Sequence, residues 1–506
     1  MNFVKGLLLG SAAALMATTA QAADLPLKAK AVEYVKICSL YGAGFYYVPG
    51  TDTCIKLGGY TRAEVAFNAS GMTETPAWNG NAGQGNRLSN NTIFRSRQDI
   101  NIDTRTATEY GVVRTYFDSV FTWTSGGSAS TVAGGELGVY FAFVQFAGFT
   151  FGKAVSQFST PWNGTPGNIT SNLLGGDDNS TGINQVAYTA EFGNGVSGSV
   201  SLEDQSSYRQ AQGAGLAPGV NMSNVFNTTG LGASGTNQNT PVSWLSGAGP
   251  GVNYIAGTQV PDIVGKIRVD QAWGLFQVSA AAHQIRASYY NPSLETTGHP
   301  DDKWGYAVLA ALSLKNLPTG PGDSINLDAT YADGAIRYVI GGTSPNNFSM
   351  FGNNALGAYQ SIAIGSAVDG VFTTGGGIET TKAWGIRGAF NHNWTPQWST
   401  SIFGAYSSVD FGGTGGALYT TGLRNAIGGN FTGTPNFNIA QIGTRTAWTP
   451  VKNLTFSGEV IYTRIDQNYE GTTNEVNAGA TKPTRAVYQF KDQDTWTGAL
   501  RVQRTF

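Results

Sequence analysis

Four arginines occupy positions from which their guanidinium groups could face one another. Arg62, Arg97 and Arg114 each stand at a polar position of a segment in which polar and apolar residues alternate, and Arg501 does the same in the last such segment. Like charges side by side on a sheet are destabilising. The arrangement therefore favours an acidic partner, or a path for ions, in front of this arginine row.

The candidate acidic partner is a pair of neighbouring aspartates. Asp177 and Asp178 belong to the polar segment "VSQFSTPWNGTPGNITSNLLGGDDNSTG". If this segment lies opposite the arginines, a transverse field runs from the two carboxylates to the guanidinium groups. Two alternatives remain open: the arginines are ordinary solvated residues with scattered partners such as Asp99 and Asp118, and the aspartates belong to a surface turn.

Enzymatic constellations are not visible in the sequence. It contains no G-x-S-x-G, and its three histidines (His283, His299 and His392) do not cluster. The stretch "GFTFGKA" is one residue too short for a P-loop and has Ala154 where Ser or Thr is needed. We therefore expect no catalytic residue, no cofactor and no metal site.

The amino end predicts export. Lys5 precedes the apolar run "GLLLGSAAALMATT", and "AQA" then offers a cleavage site after Ala22. We interpret residues 1–22 as a signal peptide. The alternative is an uncleaved membrane anchor, for which the run is short, because a spanning helix needs about 20 apolar residues.

Both cysteines follow closely behind this signal. In an oxidising compartment, Cys38 and Cys54 most simply form one disulfide, which would contribute roughly 3 kcal/mol by loop closure. Two unpaired thiols are the alternative. Residues 23–54 are accordingly expected to form an N-terminal periplasmic segment.

The elements that must position these residues have a period of two. In the final stretch "TWTGALRVQRTF", Trp496, Leu500, Val502 and Phe506 share one parity, and polar residues hold the other. Charged residues in "FRSRQDINIDTR" likewise share one parity. A strand of this kind cannot keep its charged face in a dry core, so one face must meet water.

About sixteen such segments follow one another, and short turns alternate with long polar loops. Charged residues make up only 12% of the chain, against roughly 25% in soluble proteins. Even strand numbers and alternating loop lengths are typical of outer-membrane barrels. We predict an all-β fold in which residues 55–506 form a transmembrane antiparallel β-barrel of about 16 strands. The net charge of -2 gives no footprint for nucleic acid.

Three stretches resemble the porins of alphaproteobacteria, the group that contains the Brucella and Rhizobium outer-membrane porins. They are "VEYVKICSLYGAGFYYVPGTDTCIKLGGYTRAEV", "RTATEYGVVRTYFDS" and "FVQFAGFTFGK". The resemblance implies a 16-stranded trimeric barrel, a third loop folded into the lumen, and passive passage of small hydrophilic solutes. It also implies that Phe506 is similar to the signal by which barrel-assembly machinery recognises its clients.

The function expected from the sequence is that of a general diffusion porin in the outer membrane of a Gram-negative bacterium. Arg62, Arg97, Arg114, Arg501, Asp177 and Asp178 would line its constriction. Partners would be outer-membrane lipid, two further copies of the chain, and passing solutes and ions. The expected subunit contact is the exterior of the first and last strands, with Phe67, Phe117, Phe141, Phe149, Phe151 and Leu500. A barrel enzyme and a soluble secreted β-rich binding protein are the rival classes.

Overall fold

The computed structural model describes residues 36–68, 91–125, 135–169, 173–204, 225–227, 256–291, 294–341, 347–355, 360–476 and 486–506. The expected signal peptide, residues 1–22, lies outside the described residues. The chain divides into two compact units, Met1–Lys56 and Leu57–Phe506.

Strands make up most of the described chain. In chain order they are β1 (Tyr46–Tyr47), β2 (Thr53–Phe67), β3 (Thr92–Thr108), β4 (Gly111–Thr124), β5 (Glu136–Phe146), β6 (Phe149–Ala154), β7 (Ile183–Gly193), β8 (Val196–Glu203), β9 (Val225–Asn227), β10 (Asp262–Gln271), β11 (Gly274–Ile285), β12 (Lys303–Lys315), β13 (Ser324–Asp333), β14 (Asn347–Gly352), β15 (Ser361–Ser366), β16 (Gly370–Phe372), β17 (Glu379–Thr380), β18 (Lys382–Asn393), β19 (Trp398–Asp410), β20 (Asn430–Val451), β21 (Leu454–Val476), β22 (Ala486–Phe490) and β23 (Gln493–Thr505). Helix α1 covers Gly413–Ile427, and short 3-10 turns cover Ser39–Tyr41, Glu295–Thr297 and Ile336–Tyr338. Within the described ranges, no helix is both long and apolar enough to cross a membrane.

A disulfide joins Cys38 to Cys54 in the first unit, as the sequence predicts. The bridge is buried with Phe45 between the 3-10 turn and a short antiparallel pairing of β1 with the start of β2. Among the described residues of this unit, Tyr41 and Tyr47 pack against the buried cluster of Cys38, Phe45 and Cys54.

Sixteen of the described strands close into an antiparallel barrel, which confirms the predicted fold. Strands β2 to β8, β10 to β13, β18 to β21 and β23 pair in succession, and β23 returns to pair with β2. Closure leaves no unpaired edge, which is the condition under which strands can cross lipid. Pairing continues to the last residues, where the amide of Phe506 donates to the carbonyl of Gly59 over 3.1 Å.

The two faces of each strand follow the period-two pattern. On β3 and β4, Asn101 lies opposite Asp118 and Asp103 lies opposite Tyr116, on the inner face. Phe117 and Phe121 point the other way and are exposed, as side chains facing lipid must be in an isolated chain. The segment therefore has one wet face and one apolar face.

A β-bulge corrects one expectation about the exterior. The pairing of β4 with β5 shifts by one residue between Asp118 and Ser119. On the side of the bulge nearer the short turns, Phe141 lies opposite Asp118, and its ring centroid is 6.2 Å from that of Tyr116. Phe141 therefore faces the lumen, whereas alternation without a bulge places it outside.

Tight turns join the strands at one end of the barrel. The turn from β7 to β8 consists of Asn194 and Gly195, both with positive φ (50° and 73°). This is the backbone of a two-residue hairpin turn, which suits Asn-Gly. A Cβ on Gly195 would lie 1.9 Å from the carbonyl oxygen of Asp270, so the position also requires glycine for space. The connections at the other end are long, as predicted.

Candidate pore constriction

The third long connection, described over residues 155–169 and 173–182, leaves the wall after β6 and enters the barrel; we call it the third loop. Its first residues are held by Glu203 at the end of β8. One carboxylate oxygen accepts from Ser156 Oγ over 2.6 Å, and the other accepts from the amide of Gln157 over 2.8 Å. Lys266 Nζ on β10 donates to Gln157 Oε1 over 2.7 Å. The loop is thus anchored to inward-facing side chains beside its origin.

The middle of the third loop is held by a buried ion pair. Arg387 Nε on β18 lies 2.9 Å from Asp328 Oδ1 on β13, and neither side chain is exposed. The other Asp328 oxygen accepts from Trp162 Nε1 over 2.6 Å. Arg387 also donates to the carbonyls of Leu173 and Asp177. One charge pair therefore binds two separate stretches of the loop.

The far part of the third loop reaches the opposite wall. The amide of Ile169 donates to Glu459 Oε2 on β21 over 2.6 Å, and its carbonyl accepts from Arg501 Nη2 on β23 over 2.7 Å. The amide of Leu174 donates to Gln441 Oε1 on β20 over 2.8 Å. The loop therefore crosses the lumen from β6 to β23, which confirms that it is folded into the barrel.

Three arginines surround one carboxylate where the first strands meet the last. Arg95 Nε donates to Glu64 Oε2 over 2.6 Å, and Arg501 Nε donates to Glu64 Oε1. Arg62 approaches the same carboxylate to 3.9 Å, and its Nε donates to Gln503 Oε1 over 2.9 Å. We call this group, with the neighbouring Arg97, the arginine cluster.

The arginine cluster carries more positive than negative charge. Arg97 repels both Arg62 and Arg95 electrostatically. Asp99 on β3 faces both Arg62 and Arg97 as a second acid, but it also hydrogen-bonds to the neighbouring Asp118. Four guanidinium groups therefore share the inner wall with three carboxyl groups. One is Glu64, and the other two, Asp99 and Asp118, hydrogen-bond to each other.

Arg114 lies apart from the arginine cluster. Its Nη2 is 2.9 Å from Asp103 Oδ2, and Nη1 donates to Gln145 Oε1 over 2.9 Å. It stands opposite Arg105, next to the short turn between β3 and β4, and Arg105 pairs with the same carboxylate. The structure thus brings together Arg62, Arg97 and Arg501 and separates Arg114 from them by several residues along the wall.

The loop acids are buried beside other partners. Asp177 is fully buried and accepts a hydrogen bond from Ser159 Oγ; Asp178 is almost as buried. Both aspartates interact with the charge of Arg337, in the connection between β13 and β18, and Asp177 also interacts with that of Arg387. Burial raises the pKa of Asp177 to about 7 and lowers the pKa of Arg337 to about 10. Within the described part of the chain, the arginines that interact with Asp177 are Arg387 and Arg337, and neither belongs to the arginine cluster.

Sequence reasoning missed several residues that build this site. Glu64 and Arg95 share the polar parity of Arg62 and Arg97, so alternation marks them as inward-facing, but not as one cluster. Arg387 on β18 and Asp328 on β13 likewise stand at inward-facing positions of the alternating pattern. Among the residues that the structure describes, no group of His, Cys, Asp and Glu is arranged to hold a metal ion.

A closed barrel with an apolar exterior, a charged lumen and an inward-folded loop defines the class of transmembrane β-barrel channels. Comparison with known proteins gives the family. The model of the porin subfamily matches residues 24–499, so the chain belongs to this subfamily. It is an outer-membrane protein that crosses the membrane with many strands.

Individual relatives agree with this assignment. Porin Omp2b of Brucella suis is 33% identical over 211 residues, which are 40% of this chain and 52% of the relative. Porin Omp2a of Brucella ovis is 34% identical over 221 residues, 40% of this chain and 59% of the relative. The chain thus spans about half the length of the curated relatives it matches. Among solved structures, the outer membrane channel DcaP of Acinetobacter baumannii shares the fold with a TM-score of 0.57 at 14% identity, over 91% of this chain and 99% of that one.

Proposed function

We propose that this protein is a general diffusion channel for small hydrophilic solutes and ions across the outer membrane. The observation that carries the proposal is the third loop, which crosses the lumen and contacts the wall at Arg501. A loop held in this way narrows the lumen, as a channel constriction requires. The names of the Brucella relatives as porins support the same function. A passive channel transforms no substrate, so we propose no enzymatic role.

The constriction lies where the third loop meets the arginine cluster. Arg62, Arg97 and Arg501 present positive charge to solutes passing along this wall, and fixed charge acts strongly in a narrow, partly dehydrated passage. Arg114 extends the basic lining toward the short-turn end. Asp177 and Asp178 act on the passage through the shape of the loop and through their pairing with Arg337. We infer that anions are favoured over cations.

The assembled state that fits the exterior is a homotrimer. Outward-facing rings on β6 and β7 pack on one another: the ring centroid of Phe149 is 5.7 Å from that of Phe151 and 4.8 Å from that of Tyr188. Phe67, Phe117 and Leu500 are exposed on neighbouring strands. An apolar patch that associates with its own copies suits closed symmetry. Recognition by barrel-assembly machinery through the exposed ring of Phe506 belongs to the same proposal.

Planar-bilayer recording of the purified, folded protein tests the function. Discrete conductance steps and a reversal potential of anion-selective sign under a salt gradient are expected. Liposome swelling with neutral sugars of increasing size measures the exclusion limit. Absence of conductance from protein that shows heat-modifiable migration on a denaturing gel would instead favour the barrel enzyme, and absence of heat-modifiable migration would favour the soluble binding protein.

A further inference from the structure

The inner wall of the barrel differs between its two sides. On β12, the inward-facing residues Ala307, Leu309 and Ala311 are apolar and almost fully buried, whereas the opposite parity of the same strand is exposed. The inward-facing Val264, Ala281, Ala332 and Ala383 of neighbouring strands are equally buried. A water-filled lumen has polar lining. An apolar, dry inner wall therefore means that something covers it.

Part of the cover is the connection between β13 and β18, described over residues 334–341, 347–355 and 360–381, which we call the sixth loop. It packs directly on the third loop: the amide of Gly175 donates to the carbonyl of Val339 over 3.2 Å, and Gly176 forms a parallel bridge with Ile340. The rings of Tyr338 and Phe158 meet edge to face at 4.5 Å. Ile336, Val339 and Ile340 are fully buried.

A buried polar cluster ties the sixth loop to the wall. His283 on β11 lies between two carboxylates: Nδ1 is 2.8 Å from Asp262 Oδ1 on β10, and Nε2 is 3.4 Å from Asp369 Oδ2 in the sixth loop. Tyr338 donates its hydroxyl to Asp262 Oδ2 over 2.8 Å, and Asp369 Oδ1 accepts from the amide of Ile336 over 2.7 Å. Tyr338 and Asp369 of the sixth loop are therefore bonded to the inward-facing side chains of Asp262 and His283.

We propose that the sixth loop is a second, permanent constriction element that fills one side of the lumen and sets the size-exclusion limit together with the third loop. The sixth loop also pairs with β22 and contacts Gln493 at the start of β23. The conducting path is then confined to the side lined by β2 to β5 and the Arg501 end of β23, where the arginine cluster stands. The stack of apolar side chains between the two loops and β10 to β13 excludes water, as a protein core does. This inference rests on the proposed channel function and adds the element that controls solute size.

The strand pairing at the base of the sixth loop gives the points at which it can be excised, and the excision also removes β15, which pairs with β22. Asp333 on β13 is paired with Lys382 on β18, and the amide of Gly334 donates to the carbonyl of Thr381 over 2.8 Å. Residues 335–380 can therefore be replaced by Asn-Gly, the sequence of a two-residue hairpin turn. The control replaces residues 291–297 of the connection between β11 and β12 in the same way, because the amide of Tyr290 donates to the carbonyl of Gly298 over 2.8 Å. This shorter excision keeps Ala287 and Tyr290, which pack against Phe372 of the sixth loop.

The excised channel should conduct roughly twofold more than the wild type, because conductance follows the open cross-section of the pore. It should also admit larger sugars in liposome swelling. The control excision should change neither quantity. An excised protein that is folded and heat-modifiable, yet has wild-type conductance and exclusion limit, would overturn the proposal.

Cysteine accessibility keeps the test decisive if the excised chain does not fold. Both native cysteines are in the disulfide, so a single new cysteine is the only free thiol. Ala307→Cys and Ala499→Cys form a matched pair, since both alanines face inward but only Ala307 is fully buried. A charged methanethiosulfonate reagent should react with the cysteine of the Ala499→Cys channel and reduce its conductance. Equal reaction in the Ala307→Cys channel would show a water-filled space there and refute the filled side.

These outcomes separate the two proposals. If the wild-type protein forms no channel, the proposed function fails. If it conducts, only the role of the sixth loop fails when the excised channel keeps the wild-type conductance and exclusion limit, or when the cysteine of Ala307→Cys reacts as readily as that of Ala499→Cys.

Discussion

Arg387 and Asp328 form an ion pair with no exposed side-chain surface, and each holds a different part of the third loop. Removing one partner of a buried pair leaves an uncompensated charge and typically costs 3–5 kcal/mol, whereas an apolar replacement of both is often tolerated. The pair is therefore a point at which the stability of the barrel and the position of the loop can be tested together.

We expect Arg387→Met to destabilise the folded barrel by about 3–5 kcal/mol, because Asp328 stays buried without its partner. The carbonyls of Leu173 and Asp177 also lose their donor, so open-channel current should become noisier. Urea unfolding in detergent measures the first effect, and single-channel recording measures the second. The double variant Arg387→Met with Asp328→Leu should recover most of the stability. Additive losses in this cycle would mean that the two charges do not interact.

Neutralising Arg62 and Arg97 should shift the reversal potential toward cations. A unit charge at 4 Å is worth about 1 kcal/mol even in bulk water, which changes a permeability ratio severalfold. Arg62→Gln with Arg97→Gln removes two charges from the constriction, and measurement at low salt avoids screening. Arg504→Gln is the control, because this arginine faces outward beside Lys452. A comparable shift per charge in the control would place selectivity outside the arginine cluster.

The two loop acids make a separate prediction about ion preference. Asp177→Asn with Asp178→Asn should move the reversal potential toward anions by less than the arginine pair moves it toward cations, because both carboxylates are buried next to Arg337. The comparison uses the same salt gradient for both double variants. A larger effect from the aspartates would show that they, and not the arginines, face the passing ions.

Asp177 should also make stability depend on pH. Its pKa is raised to about 7 by burial, above the ordinary value of about 3.9, so the folded state binds a proton more tightly than the unfolded state. The stabilisation is complete below pH 4 and is lost as the pH rises through 7. The thermal midpoint of the wild type should fall over this range, and that of Asp177→Asn should fall less. Asp301→Asn, an exposed loop carboxyl, is the control, and identical curves for all three proteins would count against the prediction.

Introducing a charge at Phe151 should dissociate the proposed trimer. Phe151→Arg places a cation among stacked rings on the outer face, and Ile386→Arg places one on the lipid-exposed exterior of β18. Both changes carry the cost of a charge facing lipid, roughly 2–4 kcal/mol at mid-membrane. Crosslinking in the membrane should give trimers for Ile386→Arg and monomers for Phe151→Arg. Monomers from the wild-type protein would rule out the trimer itself.

Much of the wall could be predicted from the sequence. Alternation on single strands, as in β3 and β23, identifies the faces because a strand in a membrane barrel must be apolar outside and polar inside wherever water is present. The bulge that turns Phe141 inward could not be predicted from the sequence, since one extra residue changes which residues face inward without changing the composition. The orientation of β12 could not be predicted for a different reason. This strand is apolar on both faces, so alternation does not show which face points into the lumen.

The sequence by itself determined the closed antiparallel wall, the disulfide between Cys38 and Cys54, and an inner surface rich in arginine, because these depend on local periodicity and on residues close in the chain. Only the tertiary structure decided where the loops lie. Contacts such as Ile169 with Arg501, or Asp369 with His283, join residues far apart in the chain. Loop segments carry no periodic signal, so their path follows from the packing and charge pairing available inside the finished barrel, and these exist only once all strands have closed.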